Sequence, residues 1–430
     1  MNQKYQKPSR FFTVLSRFLA HEKWSFITVP IFSIILAIIV SSIILLVLGK
    51  NPFTALYSFL AGNGFLPKES YGGNAGMLSD FFQFLNVMAP MLLAALAFIF
   101  AYRCRIFNIG IAGQMLLSGF MATVLIGYSK LGAGLAKPLV VVVGIITGGL
   151  VGALIGFLKY RFNIHEVVST IMINYIISYA TGFLINAKYV DVVSRAAKIC
   201  SPESRLTLMK IPIAGQNCNI PIGILIAIAA AILVSFIFRR TVFGFELHAV
   251  GSNANCARYS GINVGKQVVS SMMISGMLAG LAGVVYYLGY TNQIIPKTLA
   301  GMGYDSIATG LLGNSNPIGV IFSSVLITIF QNGNTYMSSV LGIDKEIASV
   351  IIGILLLFSA CGGFFRMKAE RYLDILKSIE ARRNDAAMKE SAQNEPVQEA
   401  AAAEETAEEN SPEEKTVSTE SSTKEGGDKE

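Results

Sequence analysis

Charge is what this 430-residue chain has least of. Only 14% of its residues are Asp, Glu, Lys or Arg and 53% are hydrophobic, against about 25% charged in an ordinary soluble domain. Its mean hydropathy of +0.55 places it in the membrane class before any motif is read. Histidine occurs three times, cysteine five times and tryptophan once. No Cys or His pair has the C-x-x-C or H-x-x-x-H spacing of a metal site, so no metal is expected. Three His in loops or at span ends give no scope for a Ser/His/Asp or Cys/His triad, so no catalytic residue and no cofactor is expected.

A phosphate-binding loop is missing too. The stretch nearest to one, Gly261-Ile262-Asn263-Val264-Gly265-Lys266-Gln267, has the wrong spacing and ends in Gln, where backbone amides and a Lys would have to cradle phosphates. If ATP drives this protein, another chain binds it. The apolar runs also lack ionisable side chains. Glu166, beside His165, and Asp305 stand only at span ends, whereas proton-driven pumps carry carboxylates or His relays at membrane depth. Sodium coupling through unwound carbonyls is not excluded by this.

What is present is a series of long uncharged runs, at 27–49, 85–101, 109–128, 138–158, 167–185, 220–238, 267–289, 317–333 and 347–365. A crossing helix needs about 20 apolar residues. The first run is too long for the h-region of a cleaved signal and reads as a retained signal anchor. Basic residues before it (Lys4, Lys7, Arg10, Arg17, Lys23) and after the last run (Arg366, Lys368, Arg371, Lys377, Arg382, Arg383) put both termini in the cytoplasm. Nine crossings break that parity. A short apolar piece at 304–313, counted as a broken crossing, makes ten.

The expected architecture is an all-α polytopic bundle, with a cytoplasmic segment 1–26, a transmembrane domain 27–366, a basic juxtamembrane segment 367–390 and a tail 391–430. That tail holds twelve acidic and three basic residues, net −9, leaving +16 on the other 390. The basic excess follows the cytoplasmic side of the membrane rather than pointing to nucleic acid, and the tail composition predicts disorder. The outer loop 186–219 carries five basic residues against this rule. It also holds Cys200 and Cys218, either a disulfide or two free thiols. Gly144, Gly148, Gly152 and Gly156, and Gly276, Ala279, Gly280 and Gly283, are small-residue faces that admit another helix closely.

Thr170, Asn174, Ser178 and Thr181 share one helix face. A polar stripe in a span turns to protein or water rather than lipid. It either lines a pathway or bonds helices together. Asn108, Gly110 and Gly113 suggest a broken helix beside a cavity. Amides and hydroxyls without fixed charge suit a neutral polar solute.

The loop 239–266 contains Gly244-Phe-Glu246-Leu-x-Ala-Val-Gly251-x-Asn253-x-x-x-Ala257-Arg258-Tyr259-x-Gly261-Ile-Asn-Val. Asn253 is a fitting N-cap and Gly261 a fitting helix stop, so a short helix stands between two spans. The pattern resembles the coupling loop of ATP-binding cassette (ABC) importer permeases of the branched-chain amino acid, ribose and nucleoside group. There such a helix sits in a groove of the ATPase. The resemblance makes Glu246, Gly251, Asn253, Ala257, Arg258 and Gly261 the ATPase-coupling residues. Phe107-Asn108-Ile-Gly110-Ile-Ala112-Gly113-Gln114 is similar to a motif of the nucleoside branch, which usually has Glu where this chain has Ala112. His165-Glu166-Val-Val-Ser169-Thr170 through Asn174-Tyr175, and Gly303-Tyr-Asp305-Ser-Ile-Ala308 with Gly313 and Pro317, also fit that branch.

The resemblance covers roughly residues 25–370. It implies a multi-pass protein of a bacterial cell membrane that hydrolyses no ATP itself. Its implied partners are membrane lipid, a cytoplasmic ATP-binding subunit, an extracytoplasmic substrate-binding (lipo)protein, and a second permease, identical or not. The pathway would run past Asn108, Gly110, Gln114, Ser169, Thr170, Asn174, Ser178 and Asp305. Nucleosides are the first expected solute, then ribose-like sugars or a flavin. An ion-coupled secondary transporter is the rival from another class.

Overall fold

The computed structural model describes residues 10–20, 25–67, 76–213, 216–343, 350, 353–354, 357–358 and 361–408. Its first helices are α1 (Arg10–Ala20), α2 (Ser25–Val47), α3 (Pro52–Gly62), α4 (Met77–Tyr102), α5 (Ile111–Ala122), α6 (Ala133–Phe162) and α7 (Glu166–Leu184), of which α2 and α4 to α7 follow the apolar runs. A hairpin of β1 (Thr207–Ile213) and β2 (Gln216–Pro221) precedes α8 (Gly223–Arg240), α9 (Val242–Ser252) and α10 (Ala254–Tyr259). Then come α11 (Val264–Val285), α12 (Met302–Leu312), α13 (Pro317–Leu341) and α14 (Gly362–Glu408). Helices α5, α7 and α11 each run on into a π turn, Thr123–Gly127, Ile185–Tyr189 and Tyr286–Tyr290.

Among the described residues, five helical stretches are long and apolar enough to cross a membrane: Met77–Tyr102, Ala133–Phe162, Glu166–Tyr189, Gly223–Arg240 and Val264–Tyr290. Ile31–Val47 and Ile111–Gly127 are shorter apolar helices. Nine of the nineteen residues of the expected run 347–365 fall outside the described residues.

Helix α4 is the central post. Every residue from Met91 to Ala101 is fully buried, as its unbroken apolar sequence demands, because a helix apolar all round has no face to offer water. Around it, α6, α7 and α8 keep large apolar side chains outward, among them Leu150, Tyr175, Phe183, Leu225 and Ile232. In a polytopic bundle this is the lipid face.

The two small-residue faces meet each other. A Cβ added at Gly148 would lie 2.2 Å from the Gly276 carbonyl oxygen, and one at Gly280 would lie 2.1 Å from that of Gly144. Helices α6 and α11 therefore touch backbone to backbone, which only side-chain-free positions permit.

The bundle has two distinct ends. At one, residues 103–104, the α6–α7 turn and the α8–α11 connection come together. Arg103 lies over the Phe238 ring at 5.2 Å, and Cys104 Sγ donates to the Leu247 carbonyl at 3.6 Å. At the other, Thr207 Oγ1 donates to the Gly289 carbonyl at 2.8 Å, and the Ala197 amide donates to the Ile294 carbonyl at 2.8 Å. The strands pair antiparallel, Thr207 opposite Pro221 and Ile211 opposite Cys218, with an irregularity between Leu208 and Ile211. Cys200 and Cys218 are both buried free thiols, which decides between the two readings of that pair. One basic residue of this loop, Arg205, is used internally, its Nη2 donating to the Cys200 carbonyl at 3.4 Å.

Besides α1 and the β1–β2 hairpin, which the sequence reading did not anticipate, three further elements depart from it. Helix α3 was not anticipated; Asn51 caps it by accepting from the Phe53 amide at 2.9 Å, with Pro52 in its first turn. The 239–266 loop contains two helices where one was expected. Helix α14 runs to Glu408, so 391–408, expected without structure, is helical. Its Ala and Glu are strong helix formers, a propensity that a charge count does not register. The rest of the tail, 409–430, lies outside the described residues. Val14–Ala369 forms one compact unit, and Met1–Thr13 with Glu370–Glu430 is assigned to a second.

Candidate functional site

The first candidate surface is built from α9 and α10. Thr241 starts α9, its hydroxyl accepting from the Gly244 amide at 3.1 Å while donating to the Ile237 carbonyl at 2.6 Å. Leu247 and Val250 bury the helix against the bundle. Gly251 makes that approach possible: a Cβ there would stand 2.1 Å from the Arg103 carbonyl oxygen. Glu246 accepts a hydrogen bond from the Gln267 side-chain amide, which ties α9 to α11.

Asn253 caps α10 by accepting from the Asn255 and Cys256 amides at 3.0 and 3.1 Å. Gly261 has φ +83°. Its amide donates to the Arg258 carbonyl at 3.0 Å, and the Ile262 amide donates to the Ala257 carbonyl at 3.0 Å. The cap and stop read from the sequence are thus in place. Ala257 anchors the helix inward. Cys256, Arg258 and Tyr259 point away, Tyr259 at 94% exposure. Val242 and Phe245 of α9 are also exposed. The sequence reading did not single out Tyr259, Val242 or Phe245. An aromatic or aliphatic residue on the outer side of a short capped helix was the available signal.

The second group lies deep in the bundle. The Asn108 side-chain amide donates to Gln114 Oε1 at 3.2 Å and to Ser275 Oγ at 2.9 Å, and its Oδ1 accepts from the Gly110 amide at 2.9 Å. Asn174 of α7 accepts from the Gly113 amide at 2.9 Å and donates to the Ile109 carbonyl at 3.1 Å. Ser275 of α11 donates to the Ala97 carbonyl of α4 at 2.6 Å. Asn108, Ser275 and Asn174 therefore tie α5, α7, α11 and α4 together, whereas the Thr170 hydroxyl donates within α7 to the Val167 carbonyl at 3.0 Å and the buried Gln114 Nε2 has no hydrogen-bond partner. Ser169, Ser178 and Thr181 continue the buried face of α7. At its first turn, Lys159 pairs with Glu166, and His165 Nδ1 accepts from the Val167 amide at 3.3 Å.

Asp305 stands apart from this cluster in its bonding. Its carboxylate accepts from the Gln331 side-chain amide of α13 at 2.6 Å. A cavity of about 420 Å³ lies elsewhere, beside the π turn that ends α11. Tyr286, Tyr287, Tyr290, Thr291, Gln293 and Thr298 line it, and none of the expected pathway residues does. The run Tyr286-Tyr-x-x-Tyr290-Thr-x-Gln293 at a span end was the signal that the sequence reading passed over. Among the described residues, no group of His, Cys, Asp or Glu could hold a metal ion.

Comparison with known proteins places the chain in a family. The chain is 34% identical over 344 residues to the guanosine ABC transporter permease protein NupP of Bacillus subtilis, covering 79% of this chain and 94% of that protein. It is 30% identical over 342 residues to the nucleoside ABC transporter permease protein NupB of Lactococcus lactis, covering 78% and 90%. A glucose ABC transporter permease protein, TsgB13 of Haloferax volcanii, is 22% identical over 352 residues, 80% of this chain and 89% of that protein. No solved structure matches the chain. The model of the branched-chain amino acid transport system permease component matches residues 81–360, a stretch that holds the central post, the glycine seam, the buried amide cluster and both helices of the exposed end, and the chain belongs to that family.

Proposed function

We propose that the chain is the membrane-spanning permease subunit of an ABC importer that carries nucleosides. It is a transport subunit rather than an enzyme, and it resides as a multi-pass protein in the cell membrane. The observation that carries the reading is α10: capped by Asn253, stopped by Gly261, anchored through Ala257, and presenting Arg258 and Tyr259 outward. A rigid, short helix with exposed basic and aromatic side chains is a fit for a groove on a partner. The partner is a cytoplasmic ATP-binding subunit. The two nucleoside permeases among the relatives support the choice of solute.

In this reading both termini are cytoplasmic and ten segments cross. A substrate-binding protein delivers solute at the hairpin end, and a second permease, identical or not, completes the path. Asn108, Gly110, Gln114, Thr170 and Asn174 form the inner closure of that path, with Ser169, Ser178 and Asp305 beside it. Glu246 and Gly251 hold α9 so that movement of α10 reaches the bundle.

The test is uptake of labelled guanosine, adenosine, ribose and glucose into proteoliposomes containing this chain and the subunits encoded beside it. Nucleoside uptake that needs ATP and the ATPase, and that falls at least about tenfold in Tyr259→Ala with Arg258→Ala, is the expected result. A tenfold loss corresponds to about 1.4 kcal/mol of coupling. Uptake by this chain alone on an ion gradient, indifferent to both substitutions, overturns the proposal. ATP-dependent uptake confined to the sugars refutes the solute and leaves the importer.

A further inference from the structure

The cavity beside the α11 π turn has a composition that the buried amide cluster lacks. Three tyrosines supply aromatic surface; Thr291, Gln293 and Thr298 supply hydroxyl and amide groups; and no charged side chain lines it. Its volume of about 420 Å³ falls within the roughly 300–1,000 Å³ of small-molecule pockets. The Tyr286 and Tyr290 rings lie 5.8 Å apart with their planes at 50°. They sit in one widened turn, closed by the Thr291 amide donating to the Tyr286 carbonyl at 2.9 Å.

The wall opposite is pinned. The Ala197 amide donates to the Ile294 carbonyl, and the Cys200 amide donates to that of Asn292 at 3.4 Å, so the loop after β-bridge residue Val190 holds the 292–294 segment in place. Asn292 and Lys297 both have positive φ, 59° and 61°, and between them they turn the chain around the cavity. This is a formed pocket at the hairpin end, opposite the docking helices.

We infer that this cavity is the first station of the solute in the permease: it takes a neutral planar heterocycle bearing hydroxyls, the base against Tyr286 or Tyr290, with Gln293, Thr291 and Thr298 bonding its polar edge. The inference rests on the importer reading and deepens it by placing the solute. Stacking tolerates every base because each has a π face. The absence of charge disfavours phosphorylated nucleotides and amino acids, whose fixed charges would be left unpaired.

Two measurements test it. In the complete complex in proteoliposomes, Tyr290→Ala raises the half-saturating guanosine concentration about tenfold, the loss expected for one base–aromatic stack, while Tyr290→Phe, which keeps the ring, stays within about twofold. Independently, Tyr290→Trp in a Trp24→Phe background, where it is the only tryptophan, is titrated in detergent without the ATPase. Saturable quenching by guanosine and adenosine, absent with guanosine monophosphate and with ribose, is expected. ATP-driven nucleoside uptake that is unaltered in both Ala and Phe variants, with no quenching of the Trp variant, overturns the station and leaves the importer standing. An unsubstituted complex that imports no nucleoside overturns both.

Discussion

Gly251 is a position where one methyl group decides packing. The Arg103 carbonyl stands where the Cβ would go, at 2.1 Å, so Gly251→Ala pushes α9 off residues 103–104. Overpacking of this kind costs roughly 1–3 kcal/mol, and thermal unfolding of the purified protein is expected to fall by several degrees. Tyr259, almost wholly exposed, has the opposite character: Tyr259→Ala is expected to change stability by less than about 0.5 kcal/mol and, on the proposed docking, to weaken capture of the ATP-binding subunit. The two cysteines of this end report the same contrast. Cys104 is buried against Leu247, and burial pushes its thiol up to about 11, whereas Cys256 is exposed on α10. Maleimide at neutral pH is therefore expected to label Cys256 and spare Cys104, and on the docking proposed above an added ATP-binding subunit is expected to protect Cys256. Equal labelling of both by mass spectrometry contradicts the docked α9.

At the scale of elements, capping chemistry was the most legible part of the sequence. Asn253 and Gly261 marked α10 to the residue because a side-chain oxygen over free amides and a left-handed stop are local requirements. Helix α9 was hidden. Its apolar residues serve a docked face while Val242 and Phe245 stay exposed, which blurs the one-face pattern that periodicity detects.

The turn after α7 carries its own pH dependence. Asp191 accepts from the Ser194 hydroxyl at 2.8 Å and from its amide at 3.2 Å, and these bonds hold its carboxyl below the usual carboxylate range. A depressed folded value means that the contribution is present above the ordinary Asp range and is lost as pH falls through the lowered one. Protection of the Ser194 amide from hydrogen exchange, taken relative to the intrinsic rate at the same pH, is expected to fall on acidification below about pH 4, and Asp191→Ala is expected to lack that protection at every pH.

For the whole molecule, the polytopic helical class and the small-residue helix faces were readable because bilayer thickness and small-residue spacing are simple constraints, and five crossing-length apolar helices stand among the described residues. What was not readable is which surfaces meet. Gly148 and Gly276 each announced a close partner, yet only the fold shows that they partner each other. Gly148→Leu, driven into the Gly276 carbonyl, is expected to separate α6 from α11 and to abolish recovery of monodisperse protein, whereas Leu150→Ala on the outer face of the same helix is tolerated. The Asn108 and Asn174 amides were legible as either lining a pathway or bonding helices together, and they make bonds between helices, since a bonded amide and a solute-facing one look alike in sequence. The tyrosine cavity went unread because it forms from a π turn and a loop that no periodicity describes.

Helix α11 begins two residues beyond Gly261 at its cap Asn263, and it ends in the turn that carries Tyr286 and Tyr290. At 1.5 Å of rise per residue, its 22 residues make a rod of roughly 33 Å, clamped along one side by glycines that cannot swivel out of the way. One unbroken piece of backbone thus joins the end that carries α10 to the end that carries the tyrosines, and on the importer proposed above an axial shift of α11 imposed near α10 is expected to be felt at Tyr286 and Tyr290.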